Sequence, residues 1–269
     1  MLLTLKDLLQ SSVKARDGNI GSVKDLYFDD QHWTVRYLVV EAGSLLKSHK
    51  VLLSPEAINR AEWPELSGPR DIAVDLNHEQ VRSCPPVEAD QPVSRQQEEI
   101  VRRYFGWPAY WGTSASYGGV YPLAGMPLNV PPAAAMVPSA APPTEAVDEG
   151  RQPAEPQGDP HLRSGREVTG YAIAASDGEL GHVEDFLVDD RSWRIGLLVV
   201  DTRNWWPGKK VLVSPAWIRS ISWTDKSVGI DLDRATIRGA PEFDPGTTPS
   251  ADFLARLQQY YGRPVAPER

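Results

Sequence analysis

The two densest apolar runs of the chain are Trp33–Val40, WTVRYLVV, and Trp193–Val200, WRIGLLVV. Both are rich in β-branched and aromatic residues, and the pattern predicts that each is the central strand of a small β-fold. The LLVV run of the second is continuous enough to predict burial on both faces. Ahead of the first run, Val23, Leu26 and Phe28 are interleaved with polar residues, as in a half-buried strand. Asp17-Gly18 and Asp177-Gly178 mark hairpin turns, and Asp29-Asp30 and Asp189-Asp190 mark the turns into the apolar runs. Val51–Leu53 reads as the next strand, ended by Ser54-Pro55, since proline has no N–H to donate to a ladder. Ile58–Trp63 and Ile72–Leu76 complete about six strands.

The two halves match when laid over one another. DGNIGSVKDLYFDDQHWTVRYLVV at Asp17–Val40 aligns without a gap with DGELGHVEDFLVDDRSWRIGLLVV at Asp177–Val200. The register holds through HKVLLSPEAI and KKVLVSPAWI as far as Trp63 and Trp223. Roughly 18 of about 47 positions are identical, far above chance for unrelated segments. After each β-pattern comes a helical one. The first starts near Ser94, with Ile100, Val101 and Tyr104 at helical spacing, and the second starts at Ser250, with Phe253, Leu254, Leu257, Tyr260 and Tyr261 on an apolar stripe. Gly106 and Gly262 stand where a helix stops, inside the matching tails VRRYFGWP and LQQYYGRP. Many short strands in about 80 residues predict a mainly β protein, each half a small antiparallel barrel or sandwich followed by a short α-helix. The expected organisation is a first repeat over 1–106, a linker over 107–160 and a second repeat over 161–269. The linker holds roughly eleven of the 24 prolines with much Ala, Gly and Ser, a composition expected to give a flexible, partly polyproline tether.

The run D-G-x-[IL]-G-x-V-x-D, the Asp-Asp turn, the LVV strand and K-V-L-[LV]-S-P-x-x-I resemble the PRC-barrel family, twice over about 75 residues. The Tyr104-Phe105-Gly106-Trp107-Pro108 tail is similar to tails of its stand-alone bacterial members. The family is named for the cytoplasmic barrel of the photosynthetic reaction-centre H subunit, and the barrel also occurs in a ribosome-maturation factor. The resemblance implies a small β-barrel that docks to other proteins and carries no chemistry. It also implies two alternatives: an H-subunit-like role in photosynthetic electron transfer at the membrane, and binding associated with ribosome or rRNA maturation.

Charge and composition narrow this further. A net charge of −8 and a pI near 5.2 argue against broad phosphate binding, so nucleic acid is not the expected partner. The single cysteine, Cys84, allows no intrachain disulfide and fits a reducing compartment. The opening MLLTLKDLLQ is cut by Lys6 and Asp7, and elsewhere no apolar run approaches a membrane span. A cytoplasmic chain, in solution or peripheral to the membrane, is expected. The sequence has no G-x-S-x-G elbow, P-loop or Rossmann fingerprint, so no enzymatic activity, cofactor, metal site or catalytic residue is expected. The paired acids read as turn formers in preference to calcium ligands. The five histidines have no zinc spacing and read as surface residues.

Two apolar features are candidates for contact. The loop between the LVV and KVL strands carries Leu45-Leu46 in one repeat and Trp205-Trp206 in the other, where loops normally face water. One residue of each pair is expected to cover the barrel end and the other to meet a partner or the opposite repeat. The second candidate is the aromatic tail of Trp107 and Trp111. Because the halves are homologous, they are expected to be able to pair about a pseudo-two-fold axis like a fused homodimer, with Leu45-Leu46 against Trp205-Trp206 as one route. The expected function is a non-enzymatic adaptor with a protein partner.

Overall fold

The computed structural model describes residues 1–44, 47–62, 71–85, 95–107, 159, 161–203 and 209–265. In the first half the elements are β1 (Leu2–Thr4), α1 (Leu5–Leu9), β2 (Ser12–Ala15), β3 (Gly18–Asp29), β4 (Thr34–Ser44), β5 (Lys47–Leu53), β6 (Asp71–Ala73), α2 (His78–Arg82) and α3 (Arg95–Phe105). In the second they are β7 (Leu162–Ser164), α4 (Gly165–Val168), β8 (Ala172–Ala175), β9 (Gly178–Asp189), β10 (Ile195–Asp201), β11 (Lys210–Val213), β12 (Ile218–Ser222), β13 (Ser227–Ile230), α5 (Arg234–Gly239) and α6 (Ala251–Tyr261). The fold is mainly β, in two sheets. Lobe 1 is the sheet ordered β5-β4-β3-β2-β6, and lobe 2 is the sheet ordered β11-β10-β9-β8-β13-β12.

The hub of each sheet is the strand before the apolar run. β3 and β9 each bond to three neighbours, whereas β4 and β10 lie one place from the edge. The apolar density of β10, whose seven residues are all buried, reflects packing on both faces and not a central place in the ladder. Trp33 and Trp193 also leave the expected strands. They sit in the turns with φ of 54° and 55°, in the left-handed region that side chains with a Cβ rarely enter.

The sheets are mixed, which corrects the expected all-antiparallel pairing. β2 runs parallel to β6 and β8 parallel to β13, because the chain passes over the lobe after β5 or β11 before returning beside its second strand. In lobe 1 the stretch expected as a strand over Ile58–Trp63 keeps only a bridge from Ile58 to Val74 and then a 3-10 turn over Arg60–Glu62, whereas lobe 2 forms β12 there. Ser54 and Ser214 end β5 and β11 as caps of 3-10 turns, their hydroxyls accepting from the Glu56 and Ala216 amides. Among the described residues both ladders are open, with no pair joining their two ends.

Why the D-G-x-[IL]-G run recurs is visible in the backbone. A Cβ on Gly21 would meet the Glu41 carbonyl oxygen at 1.9 Å, and one on Gly181 would meet that of Asp201 at 1.8 Å. Only glycine allows β3 and β9 to come this close to β4 and β10. Each of these ladders slips register twice, and one slip in each is equivalent, between Val23 and Asp25 and between Val183 and Asp185, so that Lys24 and Glu184 are bulged.

The repeats do not fold as two separate bodies in sequence order. β1 pairs with β9 and β7 pairs with β3, so each half gives its first strand to the other's sheet. The registers Leu3↔Val188 and Arg163↔Phe28 are equivalent under the repeat alignment. One continuous core results, running from Leu3, Leu26 and Phe28 to Phe186, Leu198 and Leu212.

Candidate functional site

The joint between the lobes concentrates the polar chemistry of the molecule. At its axis Thr34 bridges Arg194, the Val35 amide donates to the Trp193 carbonyl (2.8 Å) and the Ile195 amide donates to the Trp33 carbonyl (2.7 Å). Each left-handed tryptophan thus aims its carbonyl at the opposite lobe, which repays a backbone strain of about 1–3 kcal/mol. Phe28 stacks on Trp33 at 5.3 Å and meets Phe186 at 5.6 Å, so rings from both halves close the axis.

The paired acids divide the work. Asp29 and Asp189 form the turns, accepting from the Gln31 and His32 amides and from the Arg191 and Ser192 amides. Asp30 and Asp190 tie the lobes together. The Asp30 amide donates to the His161 carbonyl, and its carboxylate takes His161 Nδ1 at 3.0 Å and Arg163 Nε at 2.5 Å. The Asp190 amide donates to the Met1 carbonyl, and its carboxylate takes the Met1 ammonium at 2.5 Å. Arg163 is 8% exposed and its guanidinium lies 4.7 Å from the Trp223 ring centre. The turn reading therefore holds for one acid of each pair. The surface reading of the histidines holds at His78, which is exposed although it bonds Asp17 at 2.8 Å, whereas His161 is part-buried in the joint.

A second pair of carboxylates sits deeper. The Asp25 carboxylate accepts from the Ser164 hydroxyl (2.5 Å) and the Arg166 amide (3.0 Å), at the start of α4. Its equivalent Asp185 accepts from its own strand's Phe186 amide at 2.7 Å. Lobe 1 thus satisfies a first-turn amide of a helix belonging to the other half. Burial pushes both acids up, Asp185 to about 6. Sequence reasoning assigns these residues no role, although an Asp recurring inside an apolar strand is the signal that could have found them.

Under α3 lies a buried polar group. Glu98 is 0% exposed, and Arg102 Nη1 donates to the Tyr37 hydroxyl at 3.3 Å. Burial and the Glu98 charge beside it push the Tyr37 phenol up. The expected stripe fails here, since Ile100 and Tyr104 are 46% and 41% exposed while Glu98, Val101 and Arg102 face the lobe. Nearby, Asp29 holds Arg36 at 2.7 Å in a buried ion pair, and the guanidinium offsets burial to keep its carboxyl below the usual range.

His182, Glu184 and Asp201 form the metal-like cluster, with ligand atoms within 4.8 Å of one another. The protein supplies its own cations there. Lys210 Nζ takes Glu184 at 2.5 Å, and Arg203 Nε and Nη2 take Asp201 at 3.0 and 2.7 Å. Cys84 is buried, and its thiol is pushed up to about 12, far from the thiolate a nucleophile needs.

Of the residues singled out for contact, Trp107 is half-buried. It stacks on Phe105 at 4.4 Å, and its amide donates to the Arg102 carbonyl, so it ends its own helix. Leu45, Leu46, Trp205, Trp206 and Trp111 lie outside the described residues, as does the linker over 108–158. The ladder leading to Leu45-Leu46 runs out to Ser44↔Lys47, and in lobe 2 it ends at Asp201↔Lys210. The described residues of the two lobes meet through exchanged strands and turns, and the suggested route through the loops falls on residues outside the described ones. No helix among the described residues is long and apolar enough to cross a membrane. No family model matches the chain, and no curated protein matches it either.

Proposed function

We propose that the chain is a non-enzymatic adaptor whose two lobes are PRC-type barrels, binding protein partners through the loops at their outer ends. The observation that carries this reading is the reciprocal exchange of β1 and β7. It ties each half's first strand into the other's sheet, so that two equivalent lobes share one core. β4 and β10 start from an antiparallel bridge at the joint, and each then runs outward for several residues of ~3.3 Å rise. They run as far as Ser44 and Asp201, and the apolar pairs Leu45-Leu46 and Trp205-Trp206 that follow in sequence are the residues a partner would bury. Two equivalent lobes sharing one core suit a protein that bridges two partners or grips one twice.

The test is affinity capture from the native cell with the intact chain, with Leu45→Ser/Leu46→Ser and with Trp205→Ser/Trp206→Ser. A specific protein retained by the intact chain and lost from either double variant is the expected result. Equal retention by all three would refute the assignment to these loops. Co-sedimentation with ribosomal subunits, or fractionation with membranes, would favour the alternatives the resemblance implies.

A further inference from the structure

We propose that α2 is held on lobe 1 by a proton-operated clamp, closed by the His78 imidazolium and opened by the neutral ring, whereas the equivalent α5 of lobe 2 is held by a clamp that does not titrate. Two acceptors flank one ring. His78 Nδ1 lies 2.8 Å from the Asp17 carboxylate, and Nε2 lies 3.0 Å from the Asn19 carbonyl. A neutral imidazole has a single N–H, so it would set a lone pair against one of these oxygens. The imidazolium donates to both. The His78 amide also donates to Asp17, at 2.9 Å. Backbone and ring together thus pin the start of α2 to the turn between β2 and β3.

Other charges near the helix are engaged elsewhere. Arg16 and Asp75 pair with each other at 3.5 Å. From β3 and β4, Lys24 pairs with Glu41 at 3.2 Å, Asp25 accepts from Ser164, and Asp29 holds Arg36. On α2 itself Glu79 and Arg82 are exposed. From β5 comes His49, whose Nε2 lies 3.4 Å from the Val81 carbonyl, and from α3 comes Tyr104, whose hydroxyl donates to the Gln80 carbonyl at 3.0 Å. Opening α2 therefore loosens the last turn of α3 and the inner edge of β5 as well. Lobe 2 builds the same clamp from a cation that keeps its proton. The Arg234 amide donates to Asp177 at 2.8 Å and its Nε does so at 3.3 Å. Both cations lie over the glycine of an Asp-Gly turn. A Cβ on Gly18 would meet His78 Cε1 at 3.3 Å, and one on Gly178 would meet Arg234 Cζ at 3.4 Å.

Linkage fixes the direction. The bond from Asp17 raises His78 above its ordinary 6.5, in keeping with a ring that donates from both nitrogens. Stability from this group is full below the ordinary value and is lost as pH rises through the raised one. A single proton is involved, so the opening equilibrium of α2 shifts by at most about tenfold per pH unit.

The experiment is nitrogen-15 NMR of the histidine rings, with amide hydrogen exchange of α2 against α5, in the full chain between about pH 5.5 and 8.5. It is repeated on Arg234→His, which carries the titratable group into lobe 2. In the natural chain both His78 ring nitrogens are expected to hold protons at the acid end and to titrate with a midpoint above 6.5. Protection of α2 relative to α5 is expected to fall through the same range, and the last turn of α3 to follow it. In Arg234→His, α5 is expected to acquire that fall. A His78 midpoint at or below 6.5, protection of α2 that ignores the titration, or an α5 that stays level in Arg234→His overturns the clamp. Should Arg234→His fail to fold, the ring titration and exchange of the natural chain decide alone.

Discussion

Helices α3 and α6 close equivalent lobes at equivalent places, yet they are held by opposite chemistry. α6 docks through apolar groups. Leu257 is 0% exposed, Tyr261 packs on Trp217 at 4.5 Å, and Phe253 packs near Phe243. α3 docks through Glu98 and Arg102 over Tyr37, where lobe 2 has Leu254, Gln258 and Leu197. The backbone tie at the outer face is the same in both, since the Tyr104 and Tyr260 hydroxyls donate to the Gln80 and Thr236 carbonyls. One architecture thus tolerates either a dry or an ionic seat for its closing helix. Apolar packing survives the loss of one contact with a graded cost, whereas a buried charged group fails abruptly when one member is removed.

The largest expected effect breaks the ionic seat. Glu98→Ala removes a fully buried carboxylate beside Tyr37 and leaves Arg102 with the partly exposed Glu56 at 4.0 Å, and is expected to cost about 4 kcal/mol in urea denaturation. Replacing the whole set by the lobe 2 residues, Tyr37→Leu with Glu98→Leu and Arg102→Gln, is expected to cost less than that single change. If the triple variant is the worse of the two, the seats are not interchangeable.

The next effect addresses what the lobes share. Leu3→Ala removes a buried side chain from the exchanged β1 and is expected to cost about 3 kcal/mol. After proteolytic cleavage of the linker, the two halves of the natural chain are expected to co-elute on gel filtration, and those of Leu3→Ala to separate at lower urea. Gly21→Ala and Gly181→Ala should each cost about 2 kcal/mol or more, and alike, because both place a methyl group on a facing carbonyl. Unequal costs would mean that the hub strands are not equivalent.

The smallest effect separates a titratable latch from a permanent one. Asp17 accepts from the His78 amide and ring at the start of α2, whereas Asp177 accepts from the Arg234 amide and guanidinium at the start of α5. The bond from Asp17 raises His78 above its ordinary 6.5. A raised histidine contributes stability below its unfolded value and loses it as pH rises through its folded one. Exchange protection of α2 is therefore expected to fall with rising pH while that of α5 stays level, and His78→Arg should remove the difference.

Much of this is legible in the chain. Most of the strands, both Asp-Asp turns, the serine-proline stops and the two closing helices lie where periodicity and turn chemistry put them, because those signals act over a few residues, while the strand expected from Ile58 in lobe 1 gives way to a bridge and a 3-10 turn. Trp33 reads as a strand residue because its aromatic ring suits one, but its carbonyl is drawn out of line by the Ile195 amide of the other half. The parallel pairs β2–β6 and β8–β13 are not legible, since pairing direction depends on the path of a long connection. The roles of Glu98 and Arg102 are hidden for a similar reason: charged residues on a helix ordinarily face water, and only the Tyr37 beneath them makes burial tolerable. Most of the contact candidates, the loop pairs and Trp111, fall outside the described part of the chain.

By itself, then, the sequence determined the local elements and their repetition at a spacing of 160, because turn residues and apolar periodicity act on the chain within reach of each residue. The tertiary structure alone decided that β1 and β7 change places. A three-residue strand has too few side chains to specify its partner, and the choice rests on the open edges of β9 and β3 and on Asp30, Asp190, Asp25 and Asp185 waiting beside them. Those partners lie more than a hundred residues away, so their pairing is set by the shape of the folded core and not by any pattern along the chain.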